Sequence, residues 1–261
     1  MPTAPVALVT GPTAGVGLGF ARALAARGHD LVLVSRDAGR LEQVAADLRS
    51  RTGVDVEVLP ADLASPEGCA RVEQRLADPQ RPISVLVNNA GFGLRSGFIR
   101  SQVSDEQRMI DVMVSAVMRL THAALPGMVE RRRGIVVNVS SVASWLTGGT
   151  YSAAKAWVTV FSESLNVELA GTGVRVTACC PGFMHTEFHD RAGIRTSEIP
   201  EWMWIEVDEV VRQALNDAAA NRPLSVAGLQ YKALAAVLRH APRALVRRVG
   251  SVRSRGGLPG R

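Results

Sequence analysis

The chain carries 30 basic residues, yet only two of them, Lys155 and Lys232, are lysines, and it has only two tyrosines, Tyr151 and Tyr231. Arginine serves surface roles as well as lysine does but stays protonated, so a site that needs a titrating amine cannot use it. Cysteine is sparse too. Cys69, Cys179 and Cys180 are odd in number and lack metal-ligand spacing, which argues for reduced thiols in a cytoplasmic protein and against a disulfide framework. The histidines, His29, His122, His185, His189 and His240, form no recognisable metal pattern. His185 and His189 stand four apart with no third ligand near in sequence, so no metal is expected. No apolar run of about 18 to 20 residues is evident, which weighs against a membrane span. The amino terminus has no basic region before its first apolar stretch, so no secretory signal is expected.

What is present fits one large α/β domain of 261 residues with a 47% apolar composition. The net charge of +6 is local: Arg243, Arg247, Arg248, Arg253, Arg255 and Arg261 account for all of it. A basic tail is expected over residues 231–261, after a domain over residues 1–230. The tail reads as an amphipathic helix against a partner subunit, as a peripheral contact with anionic lipid, or as a solvated terminus. Nucleic-acid binding is not expected, because the rest of the chain is neutral.

Residues 5–10 read as a buried strand, followed by the loop Gly11-Pro-Thr-Ala-Gly15-Val-Gly17 and an Ala/Leu-patterned helix to about Arg27. Strand, glycine loop and helix in that order make a phosphate site: glycines let the backbone approach, and the helix start offers N–H groups. Gly11, Thr13, Ala14, Gly15, Val16 and Gly17 are therefore candidate dinucleotide contacts. The second strand ends at Ser35, where an acid would hold a ribose 2′-hydroxyl, and Arg36 follows. An arginine there accommodates a 2′-phosphate, so NADP(H) is expected over NAD(H). Helices are expected over residues 38–52 and 66–77, a strand over 54–60, and a strand beginning at Ile83 that exits through Asn88-Asn89-Ala90-Gly91. Asp62 or Ser65 reads as a helix cap. A long helix is expected from Ser104, strands over residues 173–180 and 224–228, and a helix over 208–220.

Chemistry concentrates between Ile135 and Ala156. A buried strand ends near Ser141, and Tyr151 and Lys155 lie one turn apart on one face of the helix that follows. A phenol beside an ammonium is an acid/base pair, but working near neutrality requires the phenol to fall by roughly three units, about 4 kcal/mol of environmental work. Lys155 together with a nicotinamide cation could supply that.

The glycine spacing and Tyr151-x-x-x-Lys155 resemble the motifs of the classical short-chain dehydrogenase/reductase family, from about residue 5 to about residue 190. The resemblance implies a single Rossmann-like domain, a doubly wound parallel sheet of about seven strands flanked by helices. It implies an NADP(H)-dependent oxidoreductase interconverting a carbonyl and a secondary alcohol, with Tyr151 as general acid/base and Lys155 lowering its pKa and holding the nicotinamide ribose. It also implies adenine contacts from Asp62 and Leu63 and a cofactor floor of Asn89, Ala90 and Gly91. Pro181, Gly182, Met184 and Thr186 would lie over the nicotinamide, in a homodimer or homotetramer built on the helices near 104–122 and 151–169.

Two positions depart from the family. Its catalytic serine commonly lies about thirteen residues before the tyrosine, where this chain has Asn138; Ser141, at the strand end, is the choice here, with Ser144 as fallback. Ser140 is expected to face the other way. Met113 stands where relatives carry an asparagine linked to a water behind the lysine, and a thioether cannot replace it directly. These departures motivate a second reading, a cofactor-binding sensor or scaffold with little turnover. An epimerase or dehydratase is disfavoured by the glycine spacing. Phe188, Trp202 and Trp204 suggest an apolar, aromatic-lined substrate pocket.

Overall fold

Short runs dominated by valine, leucine and isoleucine form seven strands: β1 (Val6–Thr10), β2 (Asp30–Ser35), β3 (Val56–Pro60), β4 (Ile83–Asn88), β5 (Gly134–Val139), β6 (Val174–Cys179) and β7 (Leu224–Ser225). The computed structural model describes residues 4–187 and 199–247. Every strand pairing is parallel, and the order is β3-β2-β1-β4-β5-β6-β7. Parallel neighbours need crossovers, which the helices provide: α1 (Gly15–Ala25), α2 (Ala38–Thr52), α3 (Pro66–Ala77), α4 (Val103–Ile110), α5 (Ala116–Glu130), α6 (Gly149–Glu168), α7 (Val207–Ala219) and α8 (Leu229–His240).

Strand residues alternate between two cores. Ala7 and Val9 of β1 pack with Phe20 and Leu24 of α1, Leu41 of α2 and Val211 of α7. Leu8, between them, faces Leu76 of α3, Leu120 of α5 and Leu165 of α6. Both faces of the sheet are therefore dry, and each fully buried leucine or phenylalanine contributes roughly 1.5–3 kcal/mol. Local chemistry sets the helix ends. Asp37 caps α2 by accepting from the Arg40 N–H at 3.0 Å, and Gly53, at φ +72°, ends it. Ser65, not Asp62, caps α3, accepting from the Gly68 N–H at 3.0 Å.

The strand order reverses between β1 and β4. Crossovers leave to opposite sides there, and a crevice opens beyond the carboxyl ends of the two strands. The glycine loop after β1 and the Asn-Asn-Ala-Gly run after β4 are thereby brought together.

Several expectations shift. β7 spans Leu224–Ser225 and does not reach Gly228. The long helix starts at Val103, and a five-residue π turn, Asp111–Ser115, interrupts it between α4 and α5. Taken as one helix, Val103–Glu130 is long and apolar enough by composition to cross a membrane, contrary to the reading of the sequence. Its Met109, Met113, Leu120, Ala124 and Met128 are instead buried in the protein core. The segment from Tyr231 onward begins inside α8, with Tyr231, Ala235 and Leu238 buried. Arg248, Arg253, Arg255 and Arg261 of the basic tail lie outside the described residues, as do Phe188 and His189.

Candidate active site

The glycine loop is tied to the end of β4 through Thr10. Its hydroxyl accepts from the Asn89 and Ala90 N–H groups at 2.9 and 3.0 Å, and the Asn89 side-chain amide donates to the Thr10 and Gly11 carbonyls at 2.9 and 3.0 Å. Gly11 and Gly15 adopt φ of +65° and +53°, a conformation that favours glycine. Gly17 is required for space: a Cβ there would lie 2.2 Å from the Gly11 carbonyl oxygen and 2.3 Å from the Asn89 amide nitrogen. The result is a bare backbone cradle at the start of α1.

A dinucleotide fits this cradle on a second observation. At the end of β2 the Ser35 hydroxyl is buried with no hydrogen-bond partner, in the position a ribose hydroxyl or its phosphate would meet. Arg36 follows, close enough to act on the Asp62 carboxyl. Burial works to raise that carboxyl, but Arg108, which donates to it at 2.7 Å, the Ala64 N–H at 3.0 Å and the Arg36 charge outweigh burial and hold it below the usual carboxylate range. Leu63, beside it, is buried.

The trio Ser141, Tyr151 and Lys155 comes from two places in the fold, the end of β5 and the first turns of α6. Ser141 follows β5, its hydroxyl accepting from the Ala143 N–H at 3.1 Å and reaching the Pro181 carbonyl at 3.5 Å. Tyr151 lies in the first turn of α6, which begins two residues before it, with the Ser141 hydroxyl near enough to its phenol to act on it. Lys155 is buried one turn later, with Nζ donating to the Val139 carbonyl at 2.7 Å and lying 5.8 Å from the Tyr151 ring centre. Ser140 faces the other way, donating to the Lys155 carbonyl at 2.8 Å.

Charge at the trio differs from the sequence expectation. Burial pushes the Tyr151 phenol up to about 12, with only the Ser141 hydroxyl pulling it down. Burial pulls Lys155 down to about 8, against the pull of the Cys180 and Cys179 thiols. Those thiols are themselves raised by burial, so at neutral pH they carry no charge to pair with the ammonium. The protein alone therefore holds a neutral phenol beside a cation, and desolvation outweighs the help the Ser141 hydroxyl gives.

The loop after β6 closes the cleft. Thr186 packs against the glycine loop, 3.3 Å from where a Gly15 Cβ would be, Met184 is buried, and the Pro181 carbonyl accepts from the Val142 N–H at 3.0 Å. Met113, in the π turn, packs with Met109, Val112 and Ala154 and against Tyr151, and lies 3.3 Å from where a Gly91 Cβ would sit. Ser144, the fallback, is buried with a hydroxyl that has no partner. Trp204 stacks on His185 at 3.8 Å, whereas Trp202 faces solvent. Two arginines near the cleft escape a reading of the sequence. Arg108 pairs with Asp62 across 46 positions, and Arg40 reaches the Thr13 carbonyl and the Glu187 carboxylate, each at 3.4 Å. The Arg40 position had one signal, its place in the first turn of a helix that starts beside the cleft.

The short chain dehydrogenase family profile matches residues 5–195. Sulfoacetaldehyde reductase 2 of Chromohalobacter salexigens is 37% identical over 188 residues, 70% of this chain and 74% of that protein. Serine 3-dehydrogenase of Agrobacterium fabrum is 36% identical over 185 residues, 69% of this chain and 72% of that protein. Among solved structures, a short-chain dehydrogenase from Sphingobium yanoikuyae in complex with NADPH superposes with a TM-score of 0.84 at 38% identity, covering 93% of this chain and 95% of that one. A bulky-bulky ketone specific alcohol dehydrogenase from Comamonas testosteroni gives a TM-score of 0.79 at 31% identity, over 93% and 94% of the two chains. The parallel sheet and its flanking helices thus have their counterpart in solved short-chain dehydrogenases, and the chain belongs to the short chain dehydrogenase family of oxidoreductases.

Proposed function

We propose that the protein is an NADP(H)-dependent oxidoreductase that interconverts a carbonyl and a secondary alcohol of a small, largely apolar molecule. The observation that carries the reading is the Ser141 hydroxyl set beside the Tyr151 phenol, with Lys155 one helical turn further on and its Nζ held by the Val139 carbonyl. Two hydroxyls converging on one point can both donate to a carbonyl oxygen, and a proton can pass from the phenol as that oxygen gains charge. Nicotinamide, when bound, supplies the hydride chemistry. Lys155 holds positive charge under the phenol and keeps further N–H donors for a ribose hydroxyl. Ser35 and Arg36 support the preference for NADP(H) over NAD(H), since a guanidinium and an unengaged hydroxyl suit a 2′-phosphate. Gly11 to Gly17 cradle the pyrophosphate, Asp62 and Leu63 meet the adenine, and Asn89, Ala90 and Gly91 form the floor. Pro181, Gly182, Met184 and Thr186 face the nicotinamide. The protein assembles as a homodimer or homotetramer through the helices near 104–122 (α4, the π turn and the start of α5) and 151–169 (α6).

The test pairs turnover with binding. NADPH oxidation is followed across a panel of ketones and aldehydes for wild type, Tyr151→Phe and Arg36→Ala, with dinucleotide affinity measured by calorimetry. Tyr151→Phe should lower kcat by at least about a hundredfold while NADPH affinity stays within about threefold. Arg36→Ala should weaken NADPH and leave NADH nearly unchanged. Met113 and the short Ser141 to Tyr151 spacing favour the second reading, a cofactor-binding sensor; NADPH binding with equal, negligible turnover in wild type and Tyr151→Phe would establish it instead.

A further inference from the structure

The second tyrosine lies outside the motifs above and beyond the stretch matched by the family profile, yet it reaches the loop behind the site. Tyr231 sits in the first turn of α8 and is 1% exposed. Its ring lies flush against Gly182: a Cβ on that glycine would fall 2.0 Å from the ring carbon Cζ. The phenol donates to the Met203 carbonyl at 2.5 Å and accepts from the Phe183 N–H at 2.8 Å. One side chain thereby joins two strands of chain, and other contacts run parallel to it. The Ile205 N–H donates to the Phe183 carbonyl at 3.0 Å, Phe183 and Trp204 form a parallel bridge, and His185 stacks on Trp204.

The loop held in this way faces the site in two directions. Before Gly182, the Pro181 carbonyl accepts from the Val142 N–H at 3.0 Å and from the Ser141 hydroxyl at 3.5 Å. Beyond Phe183, Thr186 rests against Gly15 of the glycine loop. A shift of Phe183 by a few tenths of an ångström is transmitted to both, because packed neighbours have no slack to absorb it.

We propose that Tyr231 is a positioning residue of the active site: by fixing Gly182 and Phe183 it sets the place of Ser141 on one side and of Thr186 on the other. The proposal rests on the functional reading above, in which residues 181–186 face the nicotinamide. It also assigns the carboxyl-terminal helix α8 a share in the reaction. Tyr231 acts on the side of the cleft assigned to the nicotinamide half of the dinucleotide; the adenosine half is assigned to Ser35 and Arg36 at the end of β2, which take no part in the bonds just described.

That asymmetry supplies the test. Tyr231→Phe keeps the ring and deletes both hydrogen bonds. Affinities for NADPH and for adenosine 2′,5′-bisphosphate, which lacks the nicotinamide half, are measured by calorimetry beside kcat, at a temperature where circular dichroism shows the variant folded. The expected result is about a tenfold loss of NADPH affinity and of kcat with the bisphosphate affinity unchanged within about twofold. Tyr231→His, which keeps a ring with a donor and an acceptor, should recover part of the loss, and the same comparison is read on it if Tyr231→Phe does not fold. Equal weakening of both ligands, or no change in either NADPH affinity or kcat, would overturn the proposal. Wild-type protein that bound no NADPH would overturn the functional reading and this inference with it; wild-type binding with an unaffected variant overturns the inference alone.

Discussion

Lys155 costs the fold stability in order to be where it is. Its pKa falls from 10.5 to about 8 because the ammonium is buried, with the Val139 carbonyl as a hydrogen-bond partner. A lysine lowered in the folded state binds its proton less tightly there than in the unfolded chain. The cost is therefore fully present below about pH 8 and disappears as pH rises toward 10.5. Lys155→Met, which removes the charge and keeps most of the volume, should stabilise the cofactor-free protein at pH 7 by on the order of 2 kcal/mol, after allowing for the lost hydrogen bond. Denaturant unfolding at pH 7, 8.5 and 10 checks this: the advantage of the variant should shrink across that series, while turnover is lost at every pH. A variant no more stable than wild type at pH 7 would mean that the ammonium is well solvated in the fold. The pair was legible because lysine and tyrosine are so scarce that Tyr151 and Lys155, four apart, stand out from a chain rich in arginine. Arg108 was not, because what defines it is a carboxylate 46 positions away, and its surroundings in sequence are those of any surface helix.

At the level of elements, the glycine loop was readable because its constraint is local, a turn needing φ near +60° at Gly11 and Gly15 followed by a helix start. Gly17 makes a sharper case, since its reason is tertiary. Gly17→Ala places a methyl against the Gly11 carbonyl and the Asn89 amide, and neither can retreat, since Asn89 is itself bonded to Thr10 and Gly11. The loop must move away from α1. NADPH affinity should fall by about tenfold or more with a cooperative but lower thermal transition, and unaltered affinity would show that the cradle can flex around the methyl. The same distinction explains the elements that sequence reading missed. The π turn at Asp111–Ser115 leaves no mark in composition, because an extra residue in a helix turn depends on how Met113 packs against Ala154 and Tyr151. β7 stops at Ser225 because the apolar residues after it, such as Ala227, are buried in the helical core rather than paired on β6.

At the scale of the whole molecule, the sheet and its two buried cores leave α5 and α6 with apolar side chains in water. Val160 and Val167 on α6 are 65% and 76% exposed, and Met118 on α5 is 46% exposed. Two valines seven positions apart on a helix lie on the same face, so this is a stripe and not a scatter. Single exposed apolar residues need no explanation, but a stripe on the two helices through which the chain is proposed to assemble calls for a covering surface, and a second copy related by a two-fold axis brings each stripe against its own image. Near such an axis one substitution acts twice. Val160→Asp would set two carboxylates facing each other across an apolar contact, so the dissociation constant of the dimer should rise on the order of a hundredfold. Sedimentation equilibrium over a range of protein concentrations reads this directly. Wild type should sediment as a dimer or tetramer and the variant as a smaller species, with NADPH binding retained because Val160 faces away from the cleft in which Tyr151 and Lys155 lie. Identical sedimentation of the two proteins as oligomers would move the interface to another face; a monomeric wild type would leave the stripe as ordinary solvent-exposed surface and the cleft as a site complete within one chain.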